Sequence, residues 1–353
     1  MPSVDAFICA ARKKFREKDV LSDSCSKMII GHFSDIHGDI KRFNNALEYF
    51  EKYKPDFVIH TGDLVVWNSE DNVDWFFEGV NRLSMPAYNC IGNHETFDNS
   101  HTLTNEELYE KYIERLKNIT MDTKKGYYYV DFEKYKLRLI VLNNYELYLE
   151  DWKKRDKYAL LQEQCEWLID ALKDAEEKEW GIVIASHESD EYVLPNSDDR
   201  GFCQKFEPHP WGVAKERKHI VADIVDAFMN AKTLKNSYKV DNVEDLIEID
   251  CSFSKKSEFI CYINGHRHGD YIGYLPSYPE QLSMCMTCSG CHPEGYHNIG
   301  EEISDLPRIP GTESEDAINF YCIDREERKV SVVRVGACVN DEFKMRVAAV
   351  YTY

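Results

Sequence analysis

Met28-Ile29-Ile30-Gly31-His32-Phe33-Ser34-Asp35-Ile36-His37 is the stretch on which the fold turns. The apolar run from Met28 to Phe33 predicts a short buried strand ending at Ser34-Asp35. A helical pattern follows, with Ile40, Phe43, Leu47 and Phe50 on one face and Pro55 as its stop. Phe57-Val58-Ile59 predicts the next strand, ending at Gly62-Asp63. Strand, helix, strand in that order predicts two parallel neighbours. In open α/β sheets ligands gather beyond the carboxyl ends of such strands, where Asp35, His37 and Asp63 fall.

The alternation continues along the chain. Ala87 to Ile91 predicts a strand leading into Gly92-Asn93-His94-Glu95, followed by a helix from about Thr104 to Lys117. Strands are predicted at Tyr127 to Val130 and Leu137 to Leu142, then a helix from Leu160 to Leu172. Trp180 to Ala185 predicts a strand ending at Ser186-His187, and Phe259 to Ile263 one ending at Gly265-His266-Arg267-His268. Asn319 to Val350 predicts β-hairpins, with a turn from Asp324 to Lys329. Glu188 to Glu258 reads as a longer, less regular insertion carrying Pro195, Pro208 and Pro210 and a helix from Ala214 to Asn230. Long loops beside a site carry function more often than scaffold. Clusters spread from Asp35 to His268 must converge to act together. The expectation is therefore a single α/β domain over 1–353, with a core at about 28–350 and the insertion at about 188–258.

A chain of 353 residues with 43% hydrophobic residues has ample material for a core. Its formal charge of -20 repels nucleic-acid backbones, whose binding needs Lys and Arg to displace counterions. Nucleic acid is thus disfavoured as a partner, and a phosphate-bearing substrate needs a locally positive site, which metal ions supply. Met1 to Val20 lacks a signal peptide's apolar run, and no stretch is long and apolar enough to cross a bilayer. The 12 cysteines lie mostly in strand-like runs, such as Cys90, Cys261 and Cys322. Reduced thiols in a cytoplasmic protein are expected, with no membrane partner.

A divalent ion that must stay Lewis-acidic and exchange water prefers carboxylate, imidazole and amide oxygen over thiolate. In Asp35-Ile36-His37 both outer side chains can reach one ion. The Asp63 carboxylate has two oxygens and can serve two ions, and Asn93 adds a neutral oxygen. Gly62, Gly92 and Gly265 are expected to let the backbone turn sharply and come close to the metals. Each cluster alone has a plain explanation: a surface loop, a turn, a helix start or a hydrogen-bonded histidine. Chance would have to place all five after apolar strands.

Together the clusters resemble the signature of the calcineurin-like metallophosphoesterase superfamily: Asp-x-His, Gly-Asp, Gly-Asn-His-Asp/Glu, His and Gly-His-x-His. Gln164-Cys165-Glu166-Trp167-Leu168 also resembles a Gln-x-x-Trp-Leu helix found in many members. The resemblance covers roughly Met28 to Gly269. It implies a four-layer α/β/β/α sandwich of two mixed sheets, with a binuclear metal site at the carboxyl ends of the strands. It assigns Asp35, His37, Asp63 and His268 to one ion and Asp63, Asn93, His187 and His266 to the other, the ions being manganese, iron or zinc. His94 would face the leaving group as the catalytic histidine. The implied chemistry is attack by a metal-bridging hydroxide on a phosphate ester, with Asn93, His94 and Arg267 as substrate contacts.

The pattern departs from particular branches. Protein Ser/Thr phosphatases continue Gly-Asp with Asp and Arg, where this chain has Leu64-Val65-Val66-Trp67-Asn68, and place Arg where it has Ile91. Purple acid phosphatases carry a Tyr ligand at the position of Val66. Small-molecule or nucleotide phosphomonoesters and phosphodiesters are the expected substrates. A catalytically silent metal-binding scaffold and a nuclease are the alternatives. Cys285, Cys288, Cys291 and His292 have metal-ligand spacing, but no second cysteine pair accompanies them, and Met284 to Cys288 reads as a core strand.

Overall fold

The computed structural model describes residues 27–66, 73–96, 103–120, 124–146, 160–189, 219–239, 245–266, 271–275, 277–285, 316–336 and 347–353. Strand β1 (Lys27–Phe33) is followed by helix α1 (Ile40–Tyr53) and strand β2 (Phe57–His60). β1 and β2 are parallel, as the strand-helix-strand pattern predicts. The Asp39 side chain caps α1 by accepting from the Arg42 backbone N–H, and Lys54 ends it in a left-handed conformation just before Pro55. The buried stripe of α1 is Phe43, Ala46, Leu47, Phe50 and Tyr53. Ile40, expected on that face, lies in the first turn and is 47% exposed.

Helix α2 (Asp74–Val80) and strand β3 (Ala87–Asn89) come next. Helix α3 (Asn105–Tyr112) has a Thr104–Glu107 capping box and is shorter than predicted, because Ile113 already leaves helical geometry at φ -122°. Strands β4 (Tyr128–Phe132) and β5 (Leu137–Val141) lead to helix α4 (Gln162–Lys178) and strand β6 (Gly181–Ala185). Helix α5 (Ile220–Asn230) and a hairpin of β7 (Thr233–Lys239) and β8 (Leu246–Ser252) then precede β9 (Phe259–Asn264). The helix expected to end at Asn230 is present from Ile220, while the hairpin after it has no counterpart in the expectation. The alternating burial along Leu246–Ser252, with Ile247, Ile249 and Cys251 inward, is the period-2 signal that marks β8. Residues 190–218 lie outside the described set. Strands β10 (Tyr271–Leu275), β11 (Tyr278–Cys285), β12 (Ala317–Asp324), β13 (Lys329–Gly336) and β14 (Val347–Thr352) complete the chain.

Among the described residues two mixed sheets of six strands form the framework, ordered β14-β13-β12-β1-β2-β3 and β10-β11-β9-β6-β5-β4. Residues alternate in facing along a strand, so each sheet buries both faces. Leu139, Val141, Val183 and Ala185 join the large core that includes the first sheet and its helices α1 and α2. Ile140, Ile182 and Ile184 instead join α4, α5 and the β7–β8 hairpin. This is the four-layer α/β/β/α sandwich. On its first outer face Phe33 meets Phe43 and Phe50, and Gly31 leaves the room that Phe50 occupies, since a Cβ there would lie 2.8 Å from its ring. Among the described residues no helix is long and apolar enough to cross a membrane.

His60, at the end of β2, is fully buried between Phe33 and Phe76, with Nδ1 2.6 Å from Asn89 Oδ1. Burial pushes its pKa down to about 4. The neutral imidazole belongs to the folded state, and the unfolded chain takes up the proton near pH 6.5. The contribution is therefore complete above pH 6.5 and declines as pH falls toward 4, by up to ~3 kcal/mol. Urea-unfolding midpoints measured between pH 7 and 4 are expected to fall more steeply in the native chain than in His60→Gln. Identical slopes would contradict this.

Candidate metal centre

Five loops meet at the carboxyl ends of β1, β2 and β3 in one sheet and β6 and β9 in the other, as expected for ligand sites in open sheets. The first two loops are zipped by backbone bonds from Asp35 N to Gly62 O (2.9 Å), His37 N to Asp63 O (3.0 Å) and Gly38 N to Leu64 O (2.8 Å). Those after β6 and β9 are joined by Gly265 N to His187 O at 3.0 Å. Across the sheets, the His187 Nδ1–H donates to Thr61 O at 2.6 Å, and the His266 N–H donates to the Asp35 carboxylate at 3.2 Å.

The backbone conformations are unusual. Asp35, His37, Asp63 and His266 have φ of 54°, 47°, 57° and 69°, the left-handed region that non-glycine residues rarely adopt. Such strain concentrates at functional sites, where surrounding contacts hold it in place. Gly62 has φ 94°, and a Cβ there would lie 2.6 Å from His187 Nδ1. Gly265 is required for closeness alone, because a Cβ would strike Ser34 Oγ and come within 2.6 Å of Asp35 Oδ2.

His187 Nε2 lies 3.2 Å from Asp63 Oδ2, 3.1 Å from Asn93 Oδ1 and 3.1 Å from His266 Nδ1, and that Nδ1 lies 3.0 Å from Asn93 Oδ1. The hydrogen bond to Thr61 O puts the His187 proton on Nδ1, so its Nε2 presents a lone pair. His266 Nε2 faces the Glu188 carboxylate at 3.1 Å, which puts its proton there and leaves Nδ1 as a lone pair. Four acceptors thus point at one another, an arrangement that repels itself unless positive charge sits among them. Burial works against protonating His187, yet Asp63 overrides it and raises the imidazole to about 10. The cluster draws a proton toward the position a cation would take. Burial pushes His266 down to about 4, consistent with a neutral ligand. These residues fit a divalent ion.

His37, Asp63 and His94 form a second group, and the ligand atoms of each group lie within 4.8 Å of one another. His37 Nε2 is 3.8 Å and His94 Nε2 3.9 Å from Asp63 Oδ2, so Asp63 belongs to both groups. The His94 ring is fixed by Nδ1 donating to Val66 O at 2.6 Å, and it is the more exposed of the two. Asp35 accepts from the Ser34 hydroxyl and the His266 amide, and its charge acts on both His187 and His266. Behind it a buried chain of hydrogen bonds runs from Ser34 to Thr61 (2.8 Å), His32 (2.8 Å), Tyr321 (2.8 Å), Asn319 (3.2 Å) and Arg334 (2.8 Å). Arg267 and His268 lie outside the described residues, as do Cys288 and Cys291. Cys285 ends β11, and residues 286–288 of the strand expected there, like His292, lie outside the described residues.

Two acidic groups have roles that the motifs do not assign: Glu95, which lies inside one, and Glu188, which lies outside them. Glu95 is fully buried and accepts backbone N–H groups from Gly92 (2.6 Å), Asp63 (2.9 Å), Leu64 (2.6 Å) and Val65 (3.3 Å), tying the second loop to the third. Burial and the Asp63 carboxylate push it up to about 7, against those donors. Glu188 lies beside His266 and adds a carboxylate to the local charge. Only its adjacency to His187 hints at this in the sequence.

The calcineurin-like phosphoesterase family model matches residues 28–225, more than half of the 353. Among solved structures the chain is similar to a dimetal phosphatase from Danio rerio, at TM-score 0.52 and 11% identity over 88% of this chain and 96% of that one. A conserved uncharacterized protein from Streptococcus pneumoniae, a predicted phosphoesterase, aligns over 93% of this chain and 97% of its own at TM-score 0.33 and 10% identity. An archaeal phosphodiesterase aligns over 49% of this chain and 79% of its own, at TM-score 0.25 and 16% identity. At such identities the likeness concerns the fold, and the last two superpositions carry no weight. No curated protein sequence matches the chain. The family match, on a fold shared with a dimetal phosphatase, establishes that the chain belongs to the calcineurin-like phosphoesterases and is a metallophosphoesterase hydrolase.

Proposed function

We propose that this hydrolase acts on small-molecule or nucleotide phosphate esters, through two divalent ions held by the residues the motifs single out. Asp35, His37, Asp63 and His268 would hold one ion, and Asp63, Asn93, His187 and His266 the other. The supporting observation is the meeting of Asp63 Oδ2, Asn93 Oδ1, His187 Nε2 and His266 Nδ1 at 3.0–3.2 Å, which only positive charge stabilises. When bound, paired divalent ions act as Lewis acids that activate water and offset phosphoryl charge; manganese, iron and zinc all suit this donor set.

The chain's own groups divide the remaining work. Asp63 faces both ligand groups with Oδ2 while its Oδ1 accepts the His94 backbone N–H, and Glu95 holds the Asp63 backbone in place. With Nδ1 committed to Val66 O, His94 offers Nε2 to the departing oxygen, and in the imidazolium that atom carries the transferable proton. Arg267, between His266 and His268, is assigned to substrate phosphate together with Asn93 and His94. The charge of -20 disfavours polynucleotide substrates. We take residues 28–350 as one catalytic unit. The buried thiols of Cys90, Cys165, Cys251, Cys261 and Cys322 suit a reducing compartment such as the cytoplasm.

With Mn2+ the full chain is expected to hydrolyse bis(p-nitrophenyl) phosphate or p-nitrophenyl phosphate. Asp63→Asn is expected to reduce turnover to background and to lower bound Mn2+. Wild-type inactivity with manganese, iron and zinc alike would favour the metal-binding scaffold instead.

His94→Ala is expected to retain both ions while kcat falls by ~10²–10⁴, the typical value of general acid help. Loss of an ion in that variant would make His94 a ligand, a role its grouping with His37 and Asp63 permits.

A further inference from the structure

We propose that Glu188 is a positioning residue for His266, and that the loop after β5 serves the metal centre by holding Glu188. The proposal rests on the binuclear reading above. Glu188 directly follows His187 and is only 3% exposed. Its Oε1 accepts the Tyr145 hydroxyl at 2.6 Å and the His266 Nε2–H at 3.1 Å. Its backbone is gripped as well. Its N–H donates to Asn144 Oδ1 at 2.9 Å, and its carbonyl accepts from Ser186 Oγ and, at 3.3 Å, from Tyr262 Oη. The carboxylate is thus a fixed acceptor with a set direction.

A neutral imidazole places its proton on either nitrogen, and only the other nitrogen can bind a cation. A carboxylate at Nε2 selects the form whose Nδ1 lone pair faces Asn93 Oδ1 (3.0 Å) and His187 Nε2 (3.1 Å). Without it, His266 is free to shift its proton to Nδ1 or to turn its ring, and each change removes a ligand. Partners of this kind orient metal-binding histidines and raise their basicity.

The support reaches further back, to the glutamine of the Gln-x-x-Trp-Leu segment. On α4, Gln164 accepts the Asn143 N–H at 2.9 Å and donates to the Asn143 carbonyl at 2.9 Å and to Glu146 Oε2 at 2.6 Å. Asn143 Oδ1 in turn accepts the Tyr145 N–H at 3.0 Å. Residues 143–146 therefore lie clamped between a helix and the site. They carry no metal-ligand candidate, yet they hold Glu188 by side chain and by backbone.

The test is titration of the metal-free full chain with Mn2+, alongside thermal unfolding and steady-state kinetics. The wild type is expected to bind two ions. Glu188→Ala is expected to lose roughly 10–100-fold in affinity for one ion and to keep the other unchanged. Tyr145→Phe, which frees one bond to the same carboxylate, is expected to weaken the same ion by less. Glu188→Gln retains the acceptor oxygen and is expected to restore most of the binding lost in the alanine variant. In all three variants kcat should fall more than KM changes. Should the alanine variant not fold, Tyr145→Phe and Glu188→Gln carry the test. Wild-type affinity for both ions in the variants, with only a lower unfolding temperature, would overturn the proposal while leaving the binuclear reading intact. A wild type that binds no Mn2+ would overturn both.

Discussion

One buried carboxylate organises the catalytic end of this molecule. Asp63 is 1% exposed, and its two oxygens meet the His94 backbone N–H and the imidazoles of His187, His37 and His94. Burial opposes its charge, yet the surrounding histidines hold it well below the usual carboxylate range. An anion so placed must be matched by positive charge, because isolated burial of an ion is costly. Protons on histidine supply that charge in the absence of metal, as the raised His187 shows. Loops from both sheets are drawn to this point, so the register of the sandwich and the geometry of the site are one problem.

The backbone bears the cost of that convergence. Four of the candidate residues sit in left-handed conformations, each of order 1–3 kcal/mol for a residue with a side chain. Contacts that over-determine the loops make such strain tolerable. Glu95 alone ties four backbone N–H groups of two loops, and the exchange between Asp35, Gly62, His37 and Asp63 zips the first loop to the second.

The polar chain behind Asp35 extends this organisation beyond the family match at 28–225. It links Ser34 through Thr61 and His32 to Tyr321, Asn319 and Arg334, on β12 and β13. His32 and Tyr321 are 289 positions apart yet 2.8 Å from each other. Buried polar groups of this kind stabilise only when their partners are in place. The C-terminal hairpin is thereby joined to the ligand loops by directional bonds as well as by apolar packing.

Much of this was visible in the linear chain. Ligand chemistry is local: Asp35, Asp63, Asn93, His187 and His266 each follow an apolar strand, and the strand-helix-strand rhythm dictates that parallel strand ends share an edge. Phe43, Leu47 and Phe50 declare the buried stripe of α1 by their spacing, and Leu246–Ser252 declares β8 by alternation, though the charges within and around it mask the signal. Other features have no local signature. Whether Glu95 meets solvent or four amide groups depends on two loops folding over it. Which nitrogen of His187 or His266 carries the proton depends on Thr61 and Glu188, neighbours in space through separate strands. Residue type names what an atom can bind, whereas proton placement and charge depend on what lies within about 3 Å of it, and that only a folded chain arranges.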